Sequence, residues 1–389
     1  MPTAESAFVS TNSICQGRVV PILWPAILQA DSVIRFAHTS FKWSNLASHN
    51  AGVTVAIVGL SREKSRKRLL YDTGADGQTV VRGADNITPY LTVGENVVVN
   101  GQRNSISGLT EMSFGNMPVD GGGLLFSNDQ IVQLGLTPNE REIFVRRIYG
   151  SAEYIRGLVR YCLWIPDEQL EAALAIDAMR RRIDAVRAMR LASKDSGTKG
   201  MASRAHQFRE MHHPIDHTLI LPGVSSEARE YLPVGLLDSR SVVSNLAFAL
   251  YDAPLWNMAL IASRLHLVWI ATVCGKLKTD FRYSSTLGWN TFPVPTLTDK
   301  NKADLTRCAE DILLAREAHF PATIADLYDP EHMPADLRAA HERNDEVLER
   351  IYIGRRFRND TERLEKLFEL YTKMTTGAET TKKRKTGVA

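Results

Sequence analysis

Between Lys276 and Tyr283 the sequence alternates without a break, with Lys276, Lys278, Asp280 and Arg282 in one set and Leu277, Thr279, Phe281 and Tyr283 in the other. Side chains on a strand alternate between faces, so the spacing predicts one strand with an apolar face inward and a charged face outward. Three cations and a carboxylate on a rigid row suit a nucleic-acid groove. Lys and Arg reach phosphates or guanine edges, and a carboxylate accepts from cytosine N4. The same row also fits an ordinary solvated strand face, because exposed charges are the norm. The residues alone leave both open. A second set, Ser225, Ser226 and Arg229, falls in a strand–turn–strand pattern over 219–235 and offers donors to a phosphate or a base edge.

Elements must position these groups. The apolar helix pattern from Pro254 through Val273, with Leu255, Met258, Ala262, Leu265 and Trp269 on one stripe, runs straight into Lys276 and is placed to brace the charged strand from behind. His266 within it reads as a core histidine. Upstream, Ala7–Ser13, Val33–His38 and Val53–Leu60 read as strands suited to the inside of a sheet, with 24–28 in a helix between the first two. Met1 lies only a few residues before the first of them, so the expectation is the tail of an α/β sheet, with an apolar edge that is an aggregation liability if left unpartnered. The basic run Arg62–Arg68 and the Gly- and Asp-rich 71–84 read as loop and hinge, and 87–91 and 96–99 as strand-like. A long amphipathic helix is predicted from about Pro166 to Ala192, its arginines (Arg180, Arg181, Arg182, Arg187, Arg190) on a solvated face. After Pro295 three amphipathic helices follow, at 301–318, 335–352 and 361–374, and then a basic tail.

Composition narrows the classes. The 389 residues are 44% hydrophobic and 23% charged, enough for two or three domains and against wholesale disorder. A net charge of +3 is too small to imply a nucleic-acid partner, so any basic surface must be local. Four cysteines lie far apart with no C-x-x-C pair, which predicts reduced thiols. The histidines at 206, 212, 213 and 217 lack cysteine or clean acidic partners, so no metal site is expected. No apolar run approaches the ~20 residues needed to span a bilayer, and no signal-peptide pattern opens the chain. The expectation is a cytoplasmic protein with no membrane partner.

A strand ending in Arg282-Tyr283-Ser284, followed by Asn290-Thr-Phe-Pro-Val-Pro295, resembles the target-recognition domain of class I adenine-specific DNA methyltransferases, most closely the MmeI-like branch, in which methylation and restriction share one polypeptide. The likeness recurs at Phe8–Gly17 (FVSTNSICQG), Phe36–Asn45 (FAHTSFKWSN), Phe114–Gly122 (FGNMPVDGG), 143–165, 219–235 and Thr323–Pro330. It implies an α/β remnant of a class I methyltransferase sheet, then an α+β target-recognition domain and a small C-terminal helical module. The corresponding stretches are 1–75, 85–297 and 298–376, with 377–389 a basic disordered tail. It implies double-stranded DNA as partner and S-adenosylmethionine as cofactor of the complete enzyme. It also assigns sequence readout to Lys276, Lys278, Asp280 and Arg282, assisted by Ser225, Ser226 and Arg229. Enzymes that modify a base hold it outside the stack between aromatic faces, and Phe41, Trp43 and Asn45 are placed to line such a pocket. Packing at a sheet edge explains Phe41 and Trp43 equally well.

The Gly-rich cofactor loop and the (Asn/Asp)-Pro-Pro-(Tyr/Phe) tetrapeptide of such enzymes are not found in the sequence: there is no N-P-P-Y, D-P-P-Y or N-P-P-F, and neither Gly74-x-x-Gly77 nor Gly121–Gly123 opens a strand–turn–helix unit. No catalytic residue is therefore assigned. The reading that follows is the recognition portion of an adenine-N6 methyltransferase, inactive unless a separately encoded N-terminal piece supplies the rest. A non-enzymatic DNA-binding module and a truncated, inactive gene product are the alternatives.

Overall fold

The computed structural model describes residues 5–43, 53–64, 66–73, 78–277 and 280–386. The first unit is a five-stranded sheet of β1 (Glu5–Thr11), β2 (Val33–Trp43), β3 (Val53–Ser61), β4 (Arg68–Thr73) and β5 (Thr79–Ala84), in the order β1-β3-β2-β4-β5. Only the β2–β4 pair is parallel. The helix Val20–Gln29 links β1 to β2 and buries Val20 and Trp24 against the sheet. Two expectations change here. Residues predicted as loop and hinge form β4 and β5, where β-branched Thr79, Val80 and Val81 pair with Thr73, Asp72 and Tyr71. Conversely, 87–91 and 96–99 form no strand beyond the isolated Ile87–Val93 bridge; their buried side chains belong to a linker packed on the core. β1 also departs from a buried strand. It is an edge strand, with Phe8 and Val9 more than half exposed.

The middle of the chain carries β6 (Ser113–Phe114), β7 (Leu125–Phe126), β8 (Val145–Tyr149), β9 (Tyr161–Leu163), β10 (His217–Pro222), β11 (Val224–Ser225), β12 (Gly235–Asp238), β13 (Val242–Val243), β14 (Ala247–Tyr251), β15 (Gly275–Leu277) and β16 (Asp280–Arg282). They form three small sheets, β12-β10-β14-β6, β13-β8-β9-β7 and β11-β16-β15. The expected long helix breaks at Ile176 into Leu170–Ala175 and Asp177–Ala192. Arg190 on the second of these is fully buried, not solvated. Its guanidinium donates to the carbonyls of Pro118, Val119, Met201, Arg204 and Gln207 at 2.7–3.0 Å. A planar fork of five donors matches five stranded carbonyls, which is why an arginine is tolerated there.

Helices Asp299–Glu317, Ala335–Ile353 and Asp360–Thr386 complete the chain. The last runs on through the basic Lys382–Lys385, expected as a disordered tail, because extending an existing helix costs far less than nucleating one. One core joins the first sheet, the helix Arg264–Val273 and these helices; Trp24, Trp269, Trp289 and Phe368 all belong to it. A second core lies under β7–β9.

Two outcomes test this packing. Arg190→Met should destabilise the chain by about 3 kcal/mol or more, read by urea denaturation, since five carbonyls lose a charged donor. In the C-terminal helices, burial and the neighbouring Glu349 push the Asp345 carboxyl up to about 7. The unfolded value is about 3.9, so the folded chain binds the extra proton between these limits, and stability falls as pH rises from about 4 to about 7. Asp345→Asn should flatten that part of the stability–pH curve.

Candidate DNA-recognition site

The charged stretch is not one strand. It folds back as a hairpin in which Gly275 opposes Arg282, Lys276 opposes Phe281 and Leu277 opposes Asp280. Lys278 lies outside the described residues. Directly opposed residues share a face, so Lys276 belongs with Phe281, while Asp280 and Arg282 occupy the other face. The side chains agree: Lys276 Nζ lies 5.5 Å from the Phe281 ring centre and 3.0 Å from Glu227 Oε2. Lys276 is thus an ion-paired, largely covered group, and the expected single row does not form. Arg282 is exposed and makes no side-chain hydrogen bond or ion pair among the described residues, and Asp280 is half-buried beside it.

β11 adds a third strand, with Val224 opposite Arg282 and Ser225 opposite Phe281. The structure therefore brings the two predicted sets together. Ser225, however, is buried, and its hydroxyl accepts from Arg229 Nη1 at 3.4 Å, so it positions Arg229 and does not face solvent. Burial lowers the Arg229 pKa, while the carboxylates of Asp280 and Asp329 favour its charged form. Ser226 Oγ accepts from the Ala228 amide at 3.3 Å and shapes the turn.

Behind the hairpin, Tyr283 Oη and His266 Nε2 are 2.9 Å apart in the core, and burial drops the His266 pKa to about 3. It stays neutral and acts as a brace, as the sequence led us to expect. Asn290, in the motif resembling the family's, donates from Nδ2 to the carbonyls of Gln102 and Arg103, both at 2.9 Å. Trp289 Nε1 donates to Thr110 O at 2.7 Å. The motif hangs the 100–110 linker from the hairpin's exit.

The turn Gly17–Val19 that follows β1 packs against the hairpin. Gly17 adopts φ +56°, and a Cβ there would lie 3.1 Å from the Gly275 amide nitrogen and 3.2 Å from its Cα. Beside this contact a cleft of about 340 Å³ is lined by Thr39, Asp72 and Arg82 of the sheet, Arg229 and Phe281 of the hairpin region, and Asp360 of the last helix. Past it, β2 carries an irregularity between His38 and Phe41. Such bulges re-aim side chains. Phe41 lies 4.7 Å edge-on from His38 and 6.2 Å from Trp43, and His38 stacks on Tyr71 at 6.5 Å. His38 and Tyr71 were not singled out from sequence. The bulge and the β2–β4 pairing that join them to Phe41 leave no local signal. Asn45 lies outside the described residues.

The glycine-rich loop is not a cofactor cradle, because a Cβ on Gly123 would strike Val186 at 2.4 Å and one on Gly121 would meet Met189 at 3.1 Å. The histidines of 206–217 disperse to separate partners: His206 to Asp167, His212 onto Tyr251, His213 against Trp164 and His217 to Ala253 O. No group of three His, Cys, Asp or Glu among the described residues is arranged to hold a metal. No helix among them is long and apolar enough to cross a membrane.

If the Gly17–Gly275 approach sets the hairpin, Gly17→Val should cost about 1–3 kcal/mol through left-handed strain and raise amide exchange over 275–282. Unaltered exchange there would remove the contact from the account.

Known proteins carry the same plan. The MmeI DNA-methyltransferase domain matches residues 1–72, the MmeI target recognition domain 93–296 and the MmeI C-terminal domain 297–379. The chain is 40% identical over 374 residues to DNA methyltransferase A of Bacillus subtilis (strain 168), which covers 96% of this chain and 42% of that protein. It is also similar, at TM-score 0.84 and 34% identity, to the Type IIL restriction-modification enzyme MmeI, solved in complex with DNA, over 96% of this chain and 50% of that one. The chain thus spans half or less of the length of these relatives. Its motifs, its family matches and its fold agree: this chain belongs to the MmeI family of DNA methyltransferases.

Proposed function

We propose that this chain supplies target recognition for S-adenosylmethionine-dependent adenine-N6 methylation of duplex DNA in a restriction–modification system. In this reading it works in the cytoplasm, and a separate polypeptide carries the cofactor loop and the catalytic tetrapeptide. The observation that carries the reading is the β11-β16-β15 sheet, whose exposed Arg282 stands beside Asp280 and whose first strand meets Gly17 in the turn after β1. An arginine takes guanine O6 and N7 bidentately, and an aspartate accepts from cytosine N4, so two neighbouring groups of opposite sign can read adjacent base pairs. Lys278, outside the described residues, is assigned to the same readout. Arg229, held by Ser225, and the Ser226 turn support it from behind, and Lys276 orders the hairpin through Glu227. Phe41 and Trp43, with His38 and Tyr71 behind them, form the aromatic wall proposed for the extrahelical base, and Asn45 is assigned to the same pocket.

The exposed Phe8 and Val9 on β1 support a partner polypeptide, because an apolar edge strand offers unpaired backbone groups and apolar surface together. Two measurements test the reading. Arg282→Ala should weaken binding to the preferred duplex by about 1–3 kcal/mol and relax preference at one base pair, read by anisotropy over a panel of duplexes. S-adenosylmethionine should not bind the chain alone by calorimetry, whereas the mixture with a complementing N-terminal fragment should bind it and transfer methyl groups. Binding by the chain alone would place the cofactor site elsewhere. No transfer by the mixture would leave a DNA-binding module without catalysis.

A further inference from the structure

A second charged surface lies on the recognition domain away from the hairpin. A cleft of about 540 Å³ is lined by Arg141, Arg146, Arg147 and Arg240, by Tyr149 and Tyr161, and by two carboxylates, Glu142 and Asp238. The guanidiniums are held in order. Arg147 opposes Tyr161 across β8 and β9. Its guanidinium lies 5.0 Å from the Tyr149 ring centre, and that of Arg141 lies 5.7 Å from the Tyr161 ring centre. Stacking on an aromatic face fixes the plane of a guanidinium while leaving its N–H edge open.

The acids of the cleft are already engaged. Glu142 pairs with Arg240, which also donates to the Glu142 carbonyl at 2.7 Å. Asp238 accepts from Ser241 Oγ at 2.7 Å and from the Arg240 amide at 3.1 Å. Among the described residues no ion pair or side-chain hydrogen bond is recorded for Arg141, Arg146 or Arg147. Burial and the nearby Arg240 both disfavour the charge on Arg146, with Glu142 and Asp238 opposing. Several guanidiniums packed side by side without matching carboxylates are an unbalanced arrangement that an incoming anion would complete.

The cleft and the hairpin are rigidly joined. β8 ends at Tyr149, and Ser151 Oγ accepts from the Gly223 amide at 3.0 Å. Gly223 O in turn accepts from the Tyr283 amide at 3.0 Å, and β11 starts at the next residue, opposite Arg282.

We propose that this cleft binds the phosphodiester backbone of duplex DNA flanking the bases read by the hairpin. Arg141, Arg146 and Arg147 are the anion ligands, and Tyr149 and Tyr161 are the platforms that hold them. Arginine forks match phosphate oxygens bidentately, and contacts of this kind position a protein on the duplex without reading sequence. The inference rests on the DNA-recognition reading above and adds a second anchoring point to it.

The test uses the full chain and Arg141→Ala/Arg147→Ala, with Arg141→Lys/Arg147→Lys as the charge-preserving control. Binding to duplexes containing and lacking the preferred sequence is followed by anisotropy across a salt series. The alanine pair should weaken binding to both duplexes about tenfold or more at low salt and lower the slope of log K against log salt by about 1.8, as for two phosphates, while sequence preference persists. The lysine pair should restore most of the slope. Unchanged affinity and slope in the alanine pair would overturn the proposal. If the wild-type chain binds no duplex, the recognition reading itself fails. Inorganic pyrophosphate then decides the cleft: binding lost in the alanine pair would reassign it to small phosphate compounds, and no binding would end its role as an anion site.

Discussion

The approach of Gly17 to Gly275 is the constraint on which the rest depends. A side chain on Gly17 would crowd the Gly275 backbone, and Gly17 holds a left-handed φ that only glycine takes without strain. Everything on either side is arranged to keep that approach. Upstream, Trp24 Nε1 donates to Ile14 O at 2.6 Å and pins the turn that carries Gly17. Downstream, the helix Arg264–Val273 delivers Gly275 directly, and the hydrogen-bonded His266–Tyr283 pair closes the hairpin onto that helix. A methyltransferase-type sheet and a hairpin of the target recognition domain, more than 250 residues apart in sequence, thereby become one body.

The C-terminal helices reinforce that body. Arg264 pairs with Asp360, and Tyr352 Oη donates to Pro293 O at 2.7 Å in the recognition-domain exit. Asn344 Nδ2 donates to Ala259 O at 2.9 Å, reaching the helix ahead of Arg264. These bonds are buried or half-buried, where a lost partner strands a polar group away from water. The C-terminal helices therefore act as a clamp on the hairpin's supporting helix. The sheet beneath β8 and β9 has its own core, and Arg190 locks its glycine-rich loop by filling carbonyls that no strand pairs.

Much of this was legible from residues alone. β1, β3 and the helices Asp299–Glu317 and Ala335–Ile353 carry periodic apolar patterns, and their observed bounds fall close to the expected ones, whereas the expected helix over 254–273 is two, Trp256–Ile261 and Arg264–Val273. The family could be read from motifs scattered over nearly the whole chain. Other features left no local signal. Period-two alternation is the same before and after a reversal, so Lys276–Tyr283 looked like one strand although it is two. Arg190 is one arginine among five on its helix, and nothing nearby in sequence marks the five carbonyls around it. The β4–β5 pair was hidden because glycine and aspartate at its turn outweighed the β-branched residues beside it.

What the sequence determined by itself is where many of the helices and strands fall, which family they belong to, and that an Arg/Asp/Lys set lies at the end of an apolar helix. These depend on local periodicity and on motifs, which survive in one dimension. Only the tertiary structure decided which of those charges remain free. Lys276 is neutralised by Glu227, forty-nine residues earlier, Ser225 is buried once β11 pairs with β16, and Arg282 stays exposed on the other face of that strand. Pairing across space sets whether a charge is spent inside the protein or left for a ligand, and no spacing along the chain encodes it.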